Sequence, residues 1–140
     1  MKTNKKVITS IIVLAIMLIA SVQFVFASDY WSDAKRYDLE PNDGWRRASS
    51  DGTAMVSEKT SNSTSYLVHT VTKSMWSSPI FRLVNSNNVA VSGEVETAPS
   101  GSTATGGNNA GVIGYAYYGS VKPAWNQINS NYIKLQMKIY

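Results

Sequence analysis

YIKLQMKIY, residues 132–140, decides the fold. Successive side chains of a strand point to opposite faces, so Ile133, Leu135, Met137 and Ile139 share one side. Tyr132, Lys134, Gln136, Lys138 and Tyr140 share the other. Nine residues of unbroken alternation predict a strand with one face on a core and one in water.

The same period extends outward. PIFRLVNSNNVAVSGEVET, 79–97, reads as a hairpin: Phe81 and Leu83 flank Arg82, Asn85 to Asn88 tolerate φ > 0, and Val89, Val91 and Val95 mark the apolar side of the return. Gly93 on that side signals a bulge or a close backbone approach. TAMVSEK from Thr53 and SYLVHTVTK at 65–73 are rich in β-branched and aromatic residues, with a turn at 60–65 between them. VIGYAYYGS, 112–120, is a further strand. KPAWNQINSN, 122–131, reads as a connection held by Trp125 and Ile128, and 98–111, with nothing to anchor a core, as a mobile loop. No sustained 3.6-residue pattern follows Ala27. The fold class is therefore all-β, a small antiparallel sandwich or barrel-like sheet, with a single domain over 51–140. Residues 28–50 are polar and turn-rich, and are expected as a loosely packed N-terminal arm or a first edge element.

Lys2, Lys5 and Lys6 precede an apolar run from Val7 to Ala20, the order of an export signal. Val25 and Ala27 place small residues before a cut at Ala27/Ser28, so 1–27 is expected as a cleaved signal peptide. The alternative is an uncleaved anchor. Both leave the domain outside the cell. The whole chain has 13 basic and 9 acidic side chains, but three lysines fall in the leader, leaving 10 against 9. So small a net charge argues against a nucleic-acid partner. The chain has no cysteine, which removes disulfides, thiolate metal sites and a cysteine nucleophile, and fits export across a single bacterial membrane.

His69, the only histidine, sits mid-strand with no G-x-S-x-G elbow nearby. Glu94 and Glu96 share a strand face about 6.6 Å apart, a spacing open to paired-carboxylate chemistry or to plain solubilising charge. Asp38, Glu40, Asn42 and Asp43 offer hard oxygens around Gly44, but Gly44 falls outside the EF-hand spacing, and an Asx turn without metal is expected. No cofactor is expected. Past the leader the rings are four Trp, eight Tyr and Phe81 alone, so nearly all carry a polar handle. Such rings suit places wet on one side and apolar on the other. The candidate contact face is Tyr132, Lys134, Gln136, Lys138 and Tyr140, followed by Tyr115, Tyr117 and Tyr118.

The lysine-headed leader, the absence of cysteine, RLVNSNNVAVSG at 82–93, the Gly/Asn/Thr-rich stretch after it and GYAYYG at 114–119 together resemble small exported proteins of Gram-positive bacteria without assigned function. In size and style the chain is similar to bacteriocins of the lactococcin 972 type. That resemblance implies action on a target cell envelope and carries no catalytic residue across. The expected function is a secreted, non-enzymatic β module in surface contact with a cell-wall polymer, a matrix component or a protein partner. The alternative is a secreted bacteriocin-like toxin. Membrane contact is expected only through the leader unless the chain is toxin-like. An exposed final strand would also permit pairing with a second copy.

Overall fold

The computed structural model describes residues 31–140; the leader and its Ala27/Ser28 boundary lie outside the described residues. Eight strands run in order: β1 (Lys35–Leu39), β2 (Val56–Glu58), β3 (Tyr66–Lys73), β4 (Ile80–Val84), β5 (Val95–Glu96), β6 (Ser102–Gly106), β7 (Ala116–Lys122) and β8 (Asn131–Ile139). They form two antiparallel four-stranded sheets, β1-β8-β3-β6 and β2-β7-β4-β5. The described residues are all-β and sandwich-like, as the period-two pattern requires.

The core lies between the sheets. Ile133, Leu135, Met137 and Ile139 of β8 are fully buried and meet Tyr37, Leu39, Tyr66 and Val68 of their own sheet, with Phe81, Leu83, Tyr117 and Val121 of the other. Burying each large apolar side chain stabilises by roughly 1.5–3 kcal/mol, so β8 alone contributes a large share of the gross driving force. Two tyrosines enter this core with their hydroxyls accounted for. Tyr66 donates to Gly93 O at 2.7 Å and Tyr37 to Arg47 O at 3.4 Å. Desolvation pushes both phenols above their ordinary pKa, so both stay neutral donors.

Several local expectations change. β8 is not an exposed final edge: β1 pairs with one side of it and β3 with the other, which leaves no free edge there for a second copy. Of the two expectations for 28–50, the edge element is the one that matches: Lys35–Leu39 is an edge strand that buries Tyr37 and Leu39. The stretch 98–111 is not simply a loop. Pro99 to Ser102 forms a turn with Gly101 at φ 76°, and Ser102–Gly106 then pairs with β3. An edge strand needs backbone pairing more than large apolar side chains, so the absence of an anchor misled. Nor is 122–131 held by Trp125 and Ile128, which point to solvent. Gln127 holds it, donating from Nε2 to Leu39 O at 2.8 Å and to Asn129 O at 3.1 Å. In the 79–97 hairpin the Asn85–Asn88 turn forms with Asn88 at φ 62°, and Gly93 does make a close approach, donating to Gly107 O at 3.0 Å. Val89, however, is exposed, because it belongs to the turn.

Gly106 tests this packing. A Cβ there would fall 2.0 Å from the Tyr66 ring, whereas one at Gly107 meets nothing within 4 Å. Gly106→Ala must displace the ring and break its hydroxyl bond to Gly93. Urea unfolding is expected to show a loss of ~1–3 kcal/mol for this variant and less than ~0.5 kcal/mol for Gly107→Ala.

Candidate functional site

The outer face of β8 is more occupied than its sequence suggests. Tyr132, Lys134, Gln136, Lys138 and Tyr140 are all half-buried. The Arg36 guanidinium lies 4.1 Å over the Tyr132 ring, Gln136 donates to Ser32 O at 3.2 Å, and the Lys138 ammonium sits 5.1 Å from the Tyr140 ring. The second cluster divides three ways. Tyr115 is exposed. Tyr118 carries Arg47 at 4.7 Å over its ring. Tyr117 turns inward, 6 % exposed, with its hydroxyl accepting from Val112 N at 2.6 Å. Its place in β7 puts it on the buried side, so its ring belongs to the core while also lining a groove with Val112 and Tyr115.

The most open aromatics are elsewhere. Trp125 is 92 % exposed and Trp76 72 %, with Ile128, shortly after Trp125 in sequence, 73 % exposed. Register explains why they converge. Ile80 lies opposite Lys122 on one side and Glu96 on the other, and Lys73 lies opposite Ile133. The connections 74–79, 97–101 and 123–130 therefore leave the same pole of the sandwich. The 40–44 turn joins them through Gln127 on Leu39 O and a short hydrogen bond from Ser130 Oγ to Glu40.

Two clefts result, with Trp125 as the ridge between them and Ile80 and Ala124 as a shared floor. The first, about 210 Å³, adds Trp76, Ser77, Ser78, Glu96 and Asn126. The second, about 260 Å³, adds Asn42, Asp43, Lys122 and Pro123. Their charges differ in availability. Asp43 is committed: its carboxylate is 2.9 Å from Arg46 and accepts from Glu40 N at 2.7 Å, closing the turn at Asn42. Lys122 is held 3.5 Å from Glu94 and 4.6 Å from the Trp45 ring, which also carries Arg82 at 3.9 Å. The Glu96 carboxylate, on an exposed residue, has no hydrogen bond or ion pair among the described residues, and Ser77 Oγ is buried without a partner.

The other candidate positions are less open. His69 Nδ1 contacts Thr103 Oγ1 at 3.0 Å and its ring packs 5.8 Å from Trp31. Glu94 lies 3.5 Å from the Lys122 ammonium, while the Glu96 carboxylate has no such partner among the described residues. Among the described residues no group of three or more His, Cys, Asp or Glu side chains is gathered as a metal site. The opposite pole carries a groove of about 380 Å³ bordered by Val91, Val112 and Tyr115, with Val112 and Tyr115 exposed.

Sequence reasoning counted Trp76 and Trp125 among the rings with a polar handle but expected Trp125 to pack. The available signal was context: each lies in a stretch with Ser, Asn or Pro neighbours and no apolar alternation, where a large ring has no strand face to share. The molecule thus defines a class, a cysteine-free antiparallel β-sandwich with an aromatic pole. Comparison with protein-family models, curated proteins and solved structures gave no match.

Proposed function

We propose that this chain is a secreted, non-enzymatic β module that binds a saccharide polymer of a cell wall or matrix through its tryptophan pole. The observation that carries the reading is the exposure of Trp125 and Trp76 on one cleft. An indole left in water is costly unless something covers it, and the C–H face of a sugar ring is a matching apolar plate with polar rim. Asn126, Ser78, Glu96 and Asn42 supply hydroxyl partners beside the rings. A ridge with a cleft on each side suits a repeating polymer, whose neighbouring units would fill both. Covering one indole face, on the order of 100 Å² at ~25 cal/mol per Å², contributes roughly 2–3 kcal/mol per ring. The leader motif and cysteine-free composition support placement outside the cell.

Co-sedimentation with insoluble chitin and with purified peptidoglycan tests this. The native chain is expected to pellet with at least one of them. Trp125→Ala should weaken binding about 30- to 100-fold, corresponding to ~2–3 kcal/mol, while Lys134→Ala leaves it unchanged. Binding that ignores both Trp76→Ala and Trp125→Ala would overturn the proposal, as would binding to neither polymer.

One observation favours a second reading, an envelope-active toxin. Val112 and Ile113 are exposed ahead of the Gly114 turn at φ 82°, with Tyr115 just after it, an apolar tip suited to a lipid surface. Dye-loaded vesicles of phosphatidylglycerol and phosphatidylethanolamine separate the two. A contact module leaves them sealed. Leakage abolished by Ile113→Asp would instead establish the toxin.

A further inference from the structure

We propose that the cleft between Trp76 and Trp125 takes an organic ammonium group, such as that of a non-acetylated amino sugar or a choline ester, held by Glu96 and the two indoles. The inference deepens the saccharide reading and rests on it.

Two features point the same way. The first is the aromatic surface itself, because an indole face carries negative quadrupole density and attracts cations as well as apolar plates. Such attraction matters most where the ring is open to an incoming group, and Trp125 and Trp76 are the two most exposed tryptophans of the described chain.

The second is Glu96. Every other charged group close to the pole is committed. Asp43 is bound to Arg46, Glu94 to Lys122, and Glu40 to Ser130. The Lys73 ammonium donates to Ser77 O at 3.0 Å, behind the cleft wall, and burial lowers its pKa. Glu96 alone lines the cleft with a carboxylate that has no partner in the described chain. Its backbone is anchored at the rim: β5 pairs it with Ile80, and Thr97 N donates to Pro79 O at 2.9 Å, while the exposed carboxylate is left open to a ligand. An unpaired carboxylate beside aromatic faces selects a cation over a neutral group.

The second cleft lacks this combination. Its carboxylate is neutralised and Lys122 adds positive charge, so the preference for a cation belongs to the first cleft only.

Intrinsic tryptophan fluorescence of the full exported chain, titrated with glucosamine tetramer, N-acetylglucosamine tetramer and choline, tests this against Glu96→Gln and Trp125→Ala. The native protein is expected to bind glucosamine tetramer or choline about tenfold more tightly than the N-acetylated tetramer, from charge-assisted contact and cation–π attraction. Glu96→Gln should erase that preference and leave the N-acetylated tetramer unaffected. Which ammonium shows the Glu96-dependent gain identifies the source. Equal affinity for charged and neutral ligands, or a preference that survives Glu96→Gln, overturns the ammonium proposal. If the N-acetylated tetramer still depends on Trp125 in that case, the saccharide reading stands. If no ligand binds, or none depends on Trp125, both readings fall.

Discussion

The structure depends on one strand being zipped on both sides. β8 takes hydrogen bonds from β1 along residues 131–135, and from Ser32 at Met137, while β3 runs along residues 133–139 on its other side. This satisfies its backbone without water and leaves its side chains a two-way choice. Because the alternation is exact, a slip by one residue would turn Ile133, Leu135, Met137 and Ile139 outward together. The core therefore fixes the register, and the register fixes the neighbours. Without cysteine, no covalent cross-link shares that role.

The aromatic pole follows from the register. Once β3, β4, β5, β7 and β8 are aligned, the connections that leave their shared end have to meet. Pro79, Pro123 and Gln127 are buried within those connections and hold the backbone down, so the larger rings at 76 and 125 stand clear. Energetically this inverts the usual assignment of tryptophan to the core. The interior is filled instead by aliphatic residues, methionines, three tyrosines and Phe81. Two tryptophans are thereby released to the surface, a third is covered by Arg82 and Lys122, and the fourth packs near His69.

The fold was legible where one face is apolar and the other polar over many residues. YIKLQMKIY carries its burial pattern in full, and the NSNN turn and Gly93 each signal a backbone requirement that the structure meets. Legibility failed where backbone pairing, not side-chain burial, makes the element. Ser102–Gly106 is a strand because β3 offers an edge, and nothing in STATG announces that. The polar face of β8 was equally legible as a face but not as a surface, since the partners that cover it, Arg36 and Ser32, come from a segment about a hundred residues earlier. The tryptophan pole lay hidden for the same reason. It is assembled from four connections whose meeting depends on strand order, which alternation within one strand does not encode.

Hydrogen exchange measured residue by residue tests the central claim most directly. If β8 is the doubly paired strand that locks the sandwich, amides 133–138 exchange only through global unfolding and are the slowest of the described residues, while those of the edge strand β6 exchange through local opening. Amides of β8 that exchange as fast as those of β6, or protection that alternates along β8 as on a strand bonded on one side only, would contradict the account.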